Sequence, residues 1–184
     1  SGKSEPGLMF APIVGERVDG HKYIGNAFEC GASAALTQWE EAVRGLVDGW
    51  QAAGETARPV VLVEDSVRAM QLVARAYESR LNLKKVGVTG SVGKTTTKEM
   101  IACALSGGLK VFKTAGNANS QIGVPVTLMN IAPDDEAAVI EMGMSEEGEM
   151  QRLATLLSLN AAVMTNIGVS HIEQLGSQEN ILRE

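Results

Sequence analysis

The segment Thr89-Gly90-Ser91-Val92-Gly93-Lys94-Thr95-Thr96-Thr97 follows the apolar run Val86-Gly87-Val88 and opens a helix-like pattern that extends to Leu105. Few architectures accept that order. A β-branched run, a turn with two glycines and then a helix form a strand–turn–helix unit, the building block of parallel sheets with right-handed crossovers. The turn itself predicts a phosphate cradle. Glycines let the backbone wrap an anion with successive N–H groups pointing inward. The helix N-terminus adds a partial positive charge of roughly half a unit. Gly90, Ser91, Val92, Gly93, Lys94, Thr95 and Thr96 would line such a cradle. Lys94 can reach the terminal phosphates of a nucleotide, and the Thr95 hydroxyl can ligate Mg²⁺. The spacing is the short form GxxGKT, because Val88 stands where the longer GxxxxGK[ST] needs a glycine.

The chain keeps alternating after this turn. Val111-Phe112, Ala137 to Glu141 and Ala161 to Thr165 read as strands, and Lys94 to Leu105 and Glu147 to Leu157 as helices. In such a sheet, ligands belong at the carboxyl ends of the strands. Upstream, Thr37 to Ala53 reads as a helix, with Thr37 as N-cap, Glu40 as its capping-box partner and Gly54 as the stop. Pro59 to Val63 reads as a buried strand. A second helix, capped by Asp65 or Ser66, carries Val67, Met70, Ala74, Tyr77 and Leu81 on one stripe. The polar segment Asn82 to Lys85 marks the expected boundary. The fold expected is α/β: a small N-terminal α/β domain over 1–83, then the first part of a P-loop parallel-sheet ATPase domain over 84–184.

Composition narrows the function classes. Apolar residues make up 45% and charged residues 21%, values of an ordinary globular chain. The net charge of -6 argues against general nucleic-acid binding, which needs basic surface. No apolar run reaches the ~18 residues of a membrane helix. The opening Ser1-Gly2-Lys3-Ser4-Glu5-Pro6 has no signal-peptide core. Cys30 and Cys103 stand far apart without a CxxC spacing, which suits reduced thiols in the cytoplasm. The chain does not begin with Met and closes on Ile181-Leu182-Arg183-Glu184, which reads as the start of a helix, so a piece of a longer protein is expected.

Three further features sit at strand ends. Glu141 closes an apolar strand, where P-loop proteins place a carboxylate for the metal, although a strand-end glutamate is often simply solvated. His171, in Thr165-Asn166-Ile167-Gly168-Val169-Ser170-His171, follows another strand and is a candidate for metal or phosphate contact. The loop Thr114-Ala115-Gly116-Asn117-Ala118-Asn119-Ser120 is either an ordinary turn-rich connection or a pair of amides, Asn117 and Asn119, that orient a polar substrate. His21, in Asp19-Gly20-His21, reads as a turn residue.

Taken in order, the stretches 89–100, 114–128, 139–143 and 165–177 resemble the Mur ligase family, and 8–32 is similar to its N-terminal UDP-substrate-binding domain. The branch they look most like joins D-alanyl-D-alanine to UDP-N-acetylmuramoyl-tripeptide. The resemblance implies an ATP-dependent amide ligase of peptidoglycan precursor synthesis. ATP would convert a substrate carboxylate to an acyl phosphate, and an amine would displace phosphate. It further implies that Lys94 and His171 serve catalysis, that Thr95 and Glu141 share one Mg²⁺ while His171 meets a second, and that Asn117 and Asn119 lie near the muramoyl substrate. A cytoplasmic monomer without nucleic-acid or membrane partners is the implied setting. The family's carbamylated lysine would fall just beyond Glu184, together with the amine-docking domain, so this stretch alone is expected to be inactive. The family's Asp-Ser-Arg segment is represented only by Ser1-Gly2-Lys3, and Ser120 stands where relatives often carry Asn. The 36–58 segment has no clear counterpart. A folylpolyglutamate or cyanophycin type of ligase, and a P-loop binding module without ligase chemistry, are the alternatives.

Overall fold

The computed structural model describes residues 7–15 and 17–184. The chain divides into two compact units between Met70 and Gln71.

The first unit is a three-stranded parallel sheet of β1 (Met9–Phe10), β2 (Ala34–Thr37) and β3 (Val60–Leu62), in that order. A 3-10 turn at Gly20–Tyr23 leads into α1 (Ile24–Glu29), and α2 (Glu40–Ala53) joins β2 to β3. Phe28 and Trp50 meet edge to face at 5.4 Å, among the buried Ile24, Ala27, Ala32 and Ala35. The Arg58 guanidinium lies 5.5 Å from the Phe28 ring and donates to Phe28 O at 2.6 Å.

Two local expectations are corrected here. Thr37 ends β2 instead of capping a helix, and its Oγ1 accepts from the Trp39 N–H at 3.1 Å. Helix α2 starts at Glu40, with Glu40 and Glu41 favourably placed in its first turn and left-handed Gly54 at its end. The run ending in Val63 is an edge strand, not a buried one: Val61 and Leu62 are 49% and 53% exposed, because β3 has only β2 beside it in the sheet. His21 lies in the 3-10 turn, as its sequence context predicts. It is buried, with Nδ1 2.6 Å from Asp19 Oδ1 and Nε2 accepting from the Gln38 N–H at 3.0 Å.

Helix α3 (Ser66–Glu78) spans the division. Asp65 caps it, accepting from the Arg68 N–H at 2.7 Å.

The second unit is a four-stranded parallel sheet of β4 (Lys84–Thr89), β5 (Val111–Lys113), β6 (Ala137–Glu141) and β7 (Ala161–Met164), in the order β5-β6-β4-β7. The connections carry α4 (Lys94–Leu105), α5 (Gly123–Met129) and α6 (Glu149–Leu156), with α7 (Ile172–Leu175) and α8 (Gln178–Arg183) after β7. Strand β6 is buried throughout and its side chains alternate between two layers. Val139 packs with Val88 and Ala102 of α4. Ala138 and Ile140 pack with Val124 and Leu128 of α5 and Leu153 and Leu156 of α6. The polar start of β4 is explained by pairing: Lys85 and Glu78 form a buried ion pair, and the Ser158 N–H donates to the same Glu78 oxygen at 3.3 Å. Val88 lies level with Glu141, and Thr89 with Met164. Three strand-end turns therefore leave the sheet along one edge.

Candidate functional site

The turn after β4 is shaped by its two glycines. Gly90 has φ 126 and Gly93, the N-cap of α4, has φ 86, both in the half of conformational space that side chains disfavour. Gly90 is also required by contact: a Cβ there would stand 2.2 Å from Thr165 Oγ1 and 3.0 Å from Asn166 N. Lys94 Nζ lies over this loop, donating to Gly90 O at 2.6 Å and Ser91 O at 3.4 Å.

The turn after β7 is laced onto the same loop. Asn166 clasps Val92 at both ends of one residue, accepting from its N–H at 3.1 Å and donating to its carbonyl at 3.2 Å. Thr165 Oγ1 donates to Val92 O at 2.7 Å, the Ser91 N–H donates to Asn166 O at 3.0 Å, and the Gly168 N–H donates to Ser91 Oγ at 2.8 Å. His171 follows, with φ 63, the sole non-glycine at positive φ among the described residues. It stands at the N-cap of α7 and lines a cleft that also includes Gly90, Ser91, Lys94, Gly143 and Ser170.

Glu141 stands on the other flank. It lines a second, open hollow with Ser91, Lys94, Thr95 and Asn119. The residue is 1% exposed and its carboxylate fully partnered. Thr95 Oγ1 donates to Oε2 at 3.0 Å, Asn119 Nδ2 donates to Oε1 at 2.8 Å, and Lys98 Nζ lies 3.7 Å from Oε2. The asparagine loop is thus tied to β6, and the Gly143 N–H completes the tie by donating to Asn119 O at 2.8 Å. Asn117 is exposed on the same loop. Nearby, the Lys113 ammonium, backed by Lys98, holds the Glu99 carboxyl below its ordinary range.

Glu141 and His171 both border the phosphate loop, one in each hollow, and Ser91 and Lys94 belong to both hollows. Among the described residues, no three His, Cys, Asp or Glu side chains gather as a metal cage. Hard oxygen donors do meet at one point, where the Thr95 hydroxyl faces the Glu141 carboxylate at the N-terminus of α4. Sequence reasoning passed over Lys98 and Asn166. The signal for Lys98 was its position on α4, close enough along the helix to share a face with Thr95. Asn166 carried no signal, because its partner is 74 residues away. The segment Ser1-Gly2-Lys3, which stands for the family's Asp-Ser-Arg segment, lies outside the described residues.

Residues 88–184 match the Mur ligase middle domain. The chain is 44% identical over 179 residues to the UDP-N-acetylmuramoyl-tripeptide--D-alanyl-D-alanine ligase of Bacillus subtilis, covering 97% of this chain and 37% of that protein. It is 34% identical over 181 residues to the ligase of the same name from Escherichia coli, covering 98% of this chain and 37% of the relative. The structure of Thermotoga maritima MurF ligase in complex with ADP superposes with a TM-score of 0.83 at 32% identity, covering 98% of this chain and 39% of that one. A MurF structure from Acinetobacter baumannii gives a TM-score of 0.84 at 28% identity, with 98% and 37% coverage. The chain thus spans a little over a third of the length of these relatives. With the phosphate loop and both flanking strand-end turns inside the matched region, the chain belongs to the Mur ligase family.

Proposed function

We propose that this chain carries the phosphate-handling part of an ATP-dependent amide ligase that joins D-alanyl-D-alanine to UDP-N-acetylmuramoyl-tripeptide in peptidoglycan precursor synthesis. The observation that carries the reading is the contact of Thr95 with Glu141 at 3.0 Å, beside a glycine loop whose lysine lies over its backbone. The names of the relatives support the substrate assignment, and the ADP complex of the Thermotoga maritima protein supports the nucleotide.

On this reading the loop amides from Gly90 to Thr96 bind the β- and γ-phosphates, and Lys94 turns from the Gly90 carbonyl to the terminal phosphate. Thr95 and Glu141 hold Mg²⁺, whose bound charge offsets that of the phosphates. Asn119 fixes the rotamer of Glu141 through Oε1, which leaves Oε2 directed at Thr95. His171 faces the cleft it shares with Gly90, Lys94 and Ser170 from the opposite flank, where it can meet a second cation or the transferring phosphoryl group. The substrate carboxylate takes the γ-phosphoryl group, ADP leaves, and the amine of the dipeptide displaces phosphate as the amide bond forms. Asn117, exposed on its loop, is placed to touch the muramoyl substrate. We assign 1–83 to UDP-substrate binding and 84–184 to the ATP-binding domain. No helix among the described residues is long and apolar enough to cross a membrane; the proposed setting is the cytoplasm, and the proposed state a monomer.

The test uses the protein that carries this sequence at the full length of its relatives. It should release ADP and phosphate only when muramoyl tripeptide and D-alanyl-D-alanine are both present. ATP hydrolysis indifferent to both would end the proposal. His171→Ala should abolish this coupled turnover while leaving ADP affinity nearly intact.

A further inference from the structure

Among the described residues, no fully buried side chain is larger than that of Lys98, which is 1% exposed. Lysines are almost never sealed inside a protein unless their charge is paired. The Lys98 ammonium has three N–H donors. Two donate to the backbone of the asparagine loop, to Thr114 O at 2.8 Å and Gly116 O at 3.2 Å. The remaining direction faces Glu99 Oε1 at 3.3 Å and Glu141 Oε2 at 3.7 Å. The nucleotide chemistry proposed above uses Lys94 and leaves Lys98 without a task.

The loop it grips needs holding. Thr114-Ala115-Gly116-Asn117-Ala118-Asn119-Ser120 has no large apolar side chain to pack, so polar ties supply its order. The Thr114 N–H donates to Val139 O at 3.0 Å, and Thr114 Oγ1 accepts the Glu141 N–H at 3.0 Å. These bonds fix the loop's first residue to β6. Lys98 adds the tie to α4, and it reaches past Thr114 to Gly116, which turns the chain with φ 56. Thr95 and Lys98 lie on one face of α4, because side chains three residues apart in a helix are neighbours. One helix face therefore carries both the hydroxyl that meets Glu141 and the anchor of the loop that brings Asn119 to Glu141.

We propose that Lys98 is a positioning residue: it ties the carbonyls of Thr114 and Gly116 to α4 and so sets where Asn117 and Asn119 stand relative to Thr95 and Glu141. Its consequence for substrate rests on the ligase reading above; its consequence for loop order does not.

The experiment therefore has two arms, both on the full-length protein. Hydrogen exchange without any substrate compares Lys98→Met with the unaltered protein. Exchange over 114–122 should quicken by about tenfold or more while 161–168 stays unchanged, the pattern of a local opening. In the kinetic arm, the KM for muramoyl tripeptide should rise by about tenfold with affinity for metal-free ADP held within about threefold, because the loop that meets that substrate shifts while the amides and the lysine that meet the nucleotide do not. Lys98→Arg, which keeps the charge and the donors, should recover much of both. Unchanged exchange over 114–122, or equal acceleration everywhere, overturns the proposal whatever the protein catalyses. A parallel loss of nucleotide affinity overturns it as well. Should Lys98→Met not fold, Lys98→Gln, which retains one donor, is read by the same criteria. Loss of the fold in both variants would assign Lys98 to stability and refute the positioning role.

Discussion

Gly90 and Gly93 stand in one loop and meet different constraints. A Cβ on Gly93 would touch nothing within 4 Å, so only its φ of 86 resists a side chain. Alanine there should lower stability by about 1–2 kcal/mol, the strain of a left-handed residue. Gly90 combines φ 126 with a crowded site: a Cβ there would stand 2.2 Å from Thr165 Oγ1 and 3.0 Å from the Asn166 backbone. Backbone cannot swing aside as a flexible side chain can. Gly90→Ala should therefore cost about 3 kcal/mol or more and should part the β7 turn from the phosphate loop. Urea unfolding of the two variants measures the difference, and equal losses would show that the contact with Thr165 and Asn166 is not limiting. Both glycines were legible in the sequence because the turn they shape is local geometry, read off adjacent residues. The clasp of Asn166 on Val92 was not, since an amide announces a hydrogen bond without naming its partner. His171 was legible by type and place, whereas its left-handed backbone follows from how the turn meets α7.

At the scale of elements, long periodic segments and short apolar runs bounded by turns were both readable, whereas two short strands and one short helix were not. Helix α4 runs from Lys94 to Leu105 and β6 from Ala137 to Glu141, the bounds their patterns predict. Strands β1 and β2 escaped notice because one has two residues and the other opens on two alanines, neither with a readable alternation. Helix α5 escaped for a different reason. Gly123 and Pro125 look like loop residues, yet both fall in its first turn, where proline's missing N–H is harmless. Its hold on the unit comes from tertiary packing, with Val124 and Leu128 entirely buried against the layer of Ala138 and Ile140. A helix of seven residues has little stability of its own. Leu128→Ala should thus cost about 2–5 kcal/mol, the range for a buried leucine whose cavity closes incompletely. It should also loosen the asparagine loop, which α5 directly follows. A denaturation shift under about 1 kcal/mol would mean that the helix is held by its loop and not by its core face.

Across the whole molecule, acidic groups with favourable partners predominate among those whose ionisation is perturbed. The His21 N–H and ring hold the Asp19 carboxyl below its ordinary range. Lys110 does the same for Asp134, Lys113 for Glu99, and the helix-start amide with Ser177 for Glu179. In each case the folded chain holds its proton less tightly than the unfolded one. Stability then rises with pH across the interval between the two values. Each contribution is complete above the unfolded value near 3.8 for aspartate, and is lost as pH falls through the lower folded value. Lys110 runs the opposite way: Asp134 raises it, so its contribution holds below the ordinary value of 10.5 and fades as pH climbs through the raised one. The urea midpoint should be flat between about pH 6 and 8 and fall below about pH 4. Salt separates two causes within that fall. Asp134 and Lys110 are an exposed ion pair 2.6 Å apart, so added salt should shrink their share, and Asp134→Asn should remove it. Asp19 depends first on a backbone N–H at 2.9 Å, a contact between neighbours in sequence that mobile ions screen weakly, so its share should persist at high salt and disappear only in Asp19→Asn. A midpoint higher at pH 3 than at pH 7 would reverse the sign and refute the assignment for all four carboxylates, because it would require the folded state to bind the extra protons.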